Sequence, residues 1–338
     1  MPIYHLRLRG PLHVGEAVAV DREAVLDWLP SDSLFSAIVS AWSAGGADVS
    51  ARLEAFQTRP PFLLTSAFPW ASGIHFFPAP AAMPRRVELE GKRAKRIRWV
   101  SEGVFRTLTR GAAAAVGAGC LLHGETVWVM PKERSGIPHE LEDEDGQPRL
   151  WQTYVVPRVA VGRTSNTSNL FHTGRVTYAP GGGLWFSVRG PTDWVDDALL
   201  RLADSGLGGL RNYGHGAFEP DQAPDDLLSE ADTGPALCLS RYAPADAEEI
   251  RSVLQDRRAA YRLITVRGWC TDDAGHGWRR RSVRMIAEGA LIPDPARARG
   301  KLVQVQPVGV RAFENRPVLR HGLPFLVRAG QLAEEEPQ

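Results

Sequence analysis

The first residues alternate. Tyr4, Leu6 and Leu8 fall on one face of an extended segment and His5, Arg7 and Arg9 on the other, which predicts a half-buried strand. Pro11 to Gly15 reads as a turn. The period then changes to that of a helix: Leu34, Ile38, Ala41 and Trp42 share one stripe, Ser31 or Asp32 is placed to cap it, and Gly45-Gly46 ends it. Strands are predicted at 61–68, 74–77 and 126–130, with a short helix over 102–108 between the last two. The segment 132–149 is charged and turn-rich, and reads as an exposed loop. A strand at 184–188 is followed by an amphipathic helix capped by Asp193, with Val195, Leu199, Leu200 and Leu202 marking its face. A second round follows: strand 237–242, helix 245–254, strands 262–268 and 282–286, and a closing strand 325–327.

Strand, helix, strand, strand, helix, strand thus occurs roughly twice. The expected fold class is α+β, two ferredoxin-like units of the βαββαβ type also used by RNA-recognition modules. The expected boundaries are 1–220 for the first domain and 235–330 for the second.

Composition narrows the function. With 338 residues, 43% hydrophobic, the chain is long enough for two domains with sizeable cores. The net charge is +1, from 40 Lys and Arg against 39 Asp and Glu, so any phosphate-binding face must be local. One candidate is the basic run Lys92, Arg93, Lys95, Arg96 and Arg98, which reads equally as a solvated surface. Cys120, Cys238 and Cys270 lie far apart, which excludes a cysteine-rich zinc site and predicts a reducing compartment. The start carries no signal-peptide pattern and the longest apolar segment, 112–122, is too short for a bilayer. A cytoplasmic protein without a membrane contact is expected, and no metal or cofactor is implied.

The candidate chemistry sits in "GLGGLRNYGHGAF", Gly206 to Phe218, where five glycines surround four polar or aromatic side chains. It lacks the third glycine of a dinucleotide loop and the Lys-Ser/Thr of a P-loop, and a helix precedes it where both motifs need a strand. Two readings remain. The glycines expose backbone N–H groups to an anion, with Arg211 on phosphate, Asn212 on a base or sugar and Tyr213 stacked on a base. Alternatively the loop is a helix C-cap running into a glycine-rich hairpin, with Tyr213 in the core.

Several segments in order resemble the RAMP superfamily of CRISPR systems, and specifically the Cas5-like subunit of the type III-A effector, the Csm complex. They are the glycine loop itself, "GPLHVGE" (Gly10 to Glu16), "WLPSDSLFSAIVSAW" (Trp28 to Trp42), "KRAKRIRWVSEGVF" (Lys92 to Phe105), "PRVAVGRTSNTSNLFHTGRVTY" (Pro157 to Tyr178) and "RPVLRHGLPFLV" (Arg316 to Val327). The resemblance implies two ferredoxin-like halves, an inserted β-hairpin thumb over the guide, and a structural role without catalysis. It implies binding of the 5′ tag of the CRISPR RNA (crRNA). It also implies docking to the large cyclase/polymerase-like signature subunit and to the first backbone RAMP subunit, with target RNA met only indirectly.

Carried onto this sequence, the RNA-binding residues are Gly208, Gly209, Arg211, Asn212, Tyr213, Gly214, His215 and Gly216 in the loop. The middle segment adds Arg158, Arg163, Ser165, Asn166 and Asn169. Lys95 and Arg96 come from the basic run, and His13 and Ser33 from the first helix region. Gly162 stands where the family often has Asp, which removes the acidic role implied at that point but leaves Arg163 to bind RNA. Ser33 also reads as part of the helix cap, the 163–169 run as a polar turn, and Trp99 as core. The rival from another class is a crRNA-processing endoribonuclease with His13, His172, His215 or His321 as acid or base. The processing enzymes carry this loop near the C-terminus, whereas here about a third of the chain follows it.

Overall fold

The computed structural model describes residues 1–19, 22–83, 91–112, 114–161, 168–223, 227–228, 231, 233–272, 274–313 and 317–330. The first half is built on strands β1 (Ile3–Leu8), β2 (Phe68–Ala71), β3 (Gly183–Arg189) and β4 (Phe218–Ala223), with helices α1 (Ser31–Ala44) and α2 (Asp193–Ser205). The sheet order is β4-β1-β3-β2, every neighbour antiparallel. In chain order this is a βαββαβ arrangement, with the long insertion 72–182 between β2 and β3. The sheet continues beyond β2 through Ile74–Pro78, Trp99–Ser101, Val127–Trp128 and Leu121–Leu122.

Alternation along β1 explains the layering. Tyr4 and Leu6 meet Leu34, Phe35, Ile38 and Trp42 of α1 and Leu199 and Leu202 of α2 in one core. Ile3 points the other way, into a second core with Phe68, Phe76, Phe77, Trp128 and Trp185. The expectation of a half-buried strand is corrected: Ile3, Tyr4, His5 and Leu6 are all buried, because the insertion covers the second face. Two caps are also corrected. Pro30, not Ser31 or Asp32, is the N-cap of α1, and Thr192, not Asp193, that of α2. The segment 132–149 is not simply a loop. It holds a helical turn at Pro131–Ser135 and a 3₁₀ turn at His139–Leu141, and Ile137 is buried. Glu133 organises it by accepting the backbone N–H groups of Met130 and Gly103, each at 2.8 Å.

From the insertion rises a long hairpin, Trp151–Val161 against Ser168–Tyr178. Both of its ends are fastened to Asp27. The Trp151 indole N–H donates to the Asp27 carboxylate at 3.0 Å, and the Tyr178 hydroxyl donates to the Asp27 carbonyl at 2.7 Å.

The second half has a smaller sheet of β5 (Ala236–Cys238), β6 (Ala290–Ile292) and β7 (Leu326–Arg328) in the order β6-β5-β7, all antiparallel. One helical segment, Ala247–Glu249 continuing as a π-helical turn over Ile250–Leu254, packs Val253 and Leu254 onto it. The rest is hairpins: Leu263–Val266 with Val283–Ile286, Trp269–Thr271 with Gly277–Arg279, and Lys301–Gln304 with Leu319–Gly322. Among the described residues no second long helix follows.

The halves are joined by apolar and ionic contacts. Leu237, Leu239, Phe325 and Val327 enter the second core of the first half. At the start of α1, Asp32 is fully buried between two arginines of the second half. Arg241 reaches one carboxylate oxygen at 3.1 Å and Arg320 donates to the other. Ser31 Oγ accepts from the Arg241 backbone N–H at 2.9 Å, so helix start and ion pair are fixed together.

Candidate nucleic-acid interface

The glycine loop leaves α2 through Gly206, which caps the helix at φ 79°. It then lies against the chain that follows β1. Gly209 N–H donates to His13 O and Gly216 N–H to Pro11 O, each at 2.8 Å. This approach needs glycine. A Cβ on Gly208 would stand 2.3 Å from His13 O, and one on Gly216 would stand 1.9 Å from Leu207 O. Between them Arg211–Tyr213 form a 3₁₀ turn, entered through Leu210 at φ 56° and left through Gly214 at φ 77°.

Neither reading of the loop holds whole. The anion-nest role for Gly209, Gly214 and Gly216 is corrected: their N–H groups are spent on Pro11, His13 and Arg211 carbonyls. The core role for Tyr213 is corrected too, since its ring is 66% exposed. The glycines instead press the loop onto the 11–13 segment and push Arg211, Asn212 and Tyr213 outward.

The long hairpin meets this turn. The Arg158 guanidinium lies 4.4 Å from the Tyr213 ring centroid, a cation–π contact. His13 is buried, with Nδ1 2.6 Å from the Gly174 carbonyl, which can only accept, so Nδ1 carries the proton. His215 is also buried, and burial first, then Arg158, His13 and Arg175, hold it below the usual histidine range. His13 and His215 therefore support the loop rather than present a side chain to solvent. Asn169 stands in the hairpin opposite Ala160. Arg163, Ser165 and Asn166 lie outside the described residues.

A groove of about 1210 Å³ opens beside the loop. One wall is α1, with Ser33, Ser36 and Ser40 at helical spacing, and another is Gly208, Gly209 and Arg211. The facing wall comes from the second half: Arg267, Trp269, Arg279 and Arg280, with Arg241 and Arg320 lining it too. Six arginines and no carboxylate therefore line the groove among the described residues. Asp32 offsets Arg241 and Arg320 from beneath. Arg280 is pulled below the usual arginine range by burial and then by Arg320.

Lys95 and Arg96 are not brought to this groove. They are exposed, and Arg96 pairs with Glu125 at 3.5 Å, while Arg93 of the same run holds Glu125 at 2.7 Å. Trp99 is core, as its apolar neighbours indicate, with its indole N–H on Asp27 at 3.0 Å. The second-half wall was not read from the sequence. Its signal was "GWRRRS" (Gly277 to Ser282), a basic triplet beside a tryptophan.

Residues 232–329, which contain that wall, match the family model of the CRISPR Csm4 C-terminal domain. Over that span this chain is similar to the Csm4 family. Two curated Csm4 proteins align along most of it. The one from Thermococcus onnurineus (strain NA1) is 23% identical over 286 residues, covering 78% of this chain and 81% of the relative. The one from Streptococcus thermophilus is 25% identical over 296 residues, covering 82% and 84%. Among solved structures, a chain of the Csm3-Csm4 subcomplex of the type III-A CRISPR-Cas interference complex superposes with a TM-score of 0.65 at 15% identity, covering 97% of this chain and 99% of that one. A chain of the Csm1-Csm4 cassette in complex with cA4 gives 0.57 at 16%, covering 100% and 98%. At these identities the likeness is one of fold, and it spans both halves of this chain.

Proposed function

We propose that this chain is the RNA-gripping structural subunit of a type III-A CRISPR effector, holding the 5′ tag of the crRNA in the arginine-lined groove. The observation that carries this reading is a cluster of exposed Arg211 and Tyr213 with half-buried Arg158, of which Arg211 lines a groove that has no lining carboxylate among the described residues. Arginine answers phosphate, and an exposed aromatic answers an unstacked base. The long hairpin over this mouth fits a thumb that closes on the guide. We read the second half as a ferredoxin-like unit whose second helix is replaced by hairpins. The solved relatives pair Csm4 with Csm3 and with Csm1, which supports docking of this chain to a backbone subunit and to the large signature subunit.

The role is binding rather than cleavage. A nuclease needs an acid and a base that reach the 2′-OH. His13 and His215 are buried, and His321 is fully buried, where burial lowers it to about 4. His172 is exposed but stands on the hairpin, and it does not line the groove. Cleavage of repeat RNA by the purified chain, lost on one histidine substitution, would overturn this.

The binding test is the double variant Arg211→Ala with Tyr213→Ala against tag RNA. Removing one stacked base costs about 1–3 kcal/mol. Removing one phosphate contact lowers the slope of log affinity against log salt by about 0.7 for a single strand. A folded double variant with unchanged affinity and salt slope would sink the reading.

A further inference from the structure

Next to Arg211, which lines the groove, the loop carries an aromatic ring backed by an arginine, Tyr213 with Arg158. The second-half wall carries another. Trp269 is 62% exposed, whereas Trp42, Trp99, Trp128, Trp151 and Trp185 are all buried. Leaving an indole in water forfeits one of the largest hydrophobic gains any side chain offers. The Arg279 guanidinium sits 5.2 Å from the Trp269 ring centroid, from the residue directly across the hairpin. Both line the groove.

We propose that Trp269, backed by Arg279, is a second stacking platform, which holds one unpaired RNA base on the second-half wall of the groove. The inference rests on the RNA reading above and extends it: a single strand would cross from the Arg211–Tyr213 turn to this hairpin. The chemistry selects a nucleotide. An indole face accepts any base, and a guanidinium beside it strengthens stacking and reaches the flanking phosphate.

The platform is held in place before any ligand arrives. Its base is tied by Arg280 N–H to Gly268 O at 2.9 Å and by Arg320 to Arg267 O at 2.6 Å. Its tip is closed by Asp272, which accepts the Trp278 indole N–H at 2.9 Å and the His276 N–H at 2.8 Å. Gly277, diagonal to Trp269, leaves the ring edge clear: a Cβ there would first meet Trp269, at 3.8 Å. A preformed platform keeps the entropy cost of binding low.

The test uses the full chain and a single-stranded RNA of about ten nucleotides, within the usual site size of such proteins. 2-Aminopurine is placed at each position in turn, since stacking quenches its fluorescence. Wild type should quench at two separated positions. Trp269→Ala should restore one of them and weaken binding about 5- to 150-fold, Tyr213→Ala should restore the other, and Trp269→Phe should keep both. Quenching and affinity unchanged in Trp269→Ala, with Tyr213→Ala still effective, would overturn the platform alone. Failure of the folded wild-type chain to bind RNA would remove both readings.

Discussion

Substituting Asp32 by Asn tests whether the ionic contact between the halves holds them together. The carboxylate is buried, as are both arginines that face it. The amide keeps the shape and removes the charge, so two buried guanidinium groups lose their counter-charge. Arg241 keeps a longer contact to Glu288, at 3.8 Å. Breaking such a pair typically costs about 3–5 kcal/mol, against a total stability of about 5–15 kcal/mol. With a urea m-value of about 3 kcal/mol per molar, the midpoint should fall by roughly 1–1.7 M. Chemical unfolding followed by tryptophan fluorescence reads this directly. The pH dependence gives a second check. Burial alone would raise the Asp32 pKa, but Arg241 and Arg320 outweigh it and hold the carboxyl below its ordinary value. Its stabilisation is therefore complete above the unfolded value of about 3.9 and is lost as pH falls below it. The deficit of Asp32→Asn should be constant at neutral pH and shrink only under acid. A triple variant, Asp32→Leu with Arg241→Met and Arg320→Leu, should recover most of the loss, since apolar replacement of a whole buried ion cluster is often neutral. A midpoint for Asp32→Asn equal to wild type would refute the reasoning.

Other expectations follow from single contacts. His321 is fully buried against Phe35 with neither ring nitrogen hydrogen-bonded, and it stays neutral down to about 4. His321→Leu should raise stability by about 1 kcal/mol. It should also flatten the loss between about pH 6.5 and 4, where the unfolded chain takes up a proton that the folded chain refuses; calorimetry across that range decides. Gly216→Ala puts a methyl 1.9 Å from Leu207 O, whereas Gly214→Ala at a similar φ meets nothing within 4 Å. Gly214→Ala should therefore cost only the left-handed backbone, about 1–2 kcal/mol. Gly216→Ala should cost more and also weaken RNA binding by displacing Arg211 and Tyr213; equal effects would contradict the loop geometry.

Much of the first half was legible because it is periodic. Leu34, Ile38 and Trp42 gave α1, and Val195, Leu199 and Leu202 gave α2, although Leu200, read onto the same face, is exposed. Asp32 was misread because its motif, an acid at a helix start, is common in caps, while its true partners stand 209 and 288 positions away. The glycine loop was found, but the reason for its glycines was not, since the carbonyls they approach belong to the chain near residue 13. Trp269 and Arg279 escaped notice because their strands are three residues each and exposed, too short for any period. Part of the basic run 92–98 is neutralised by Glu125, which stands outside the run and could not be paired with it from the sequence.

The order of the sheet also governs how the molecule must be made. β1 is synthesised well before its hydrogen-bonding partners β3 and β4, which follow some 180 to 220 residues later. At translation rates of about 5–20 residues per second, an apolar strand with both edges open waits for tens of seconds. Arg320 emerges later still, so Asp32 remains without its second counter-ion for 288 residues of synthesis. Such topology folds slowly and late. The newborn chain is then a candidate for chaperone capture, and truncation before residue 320 should yield an aggregating product rather than a working first half.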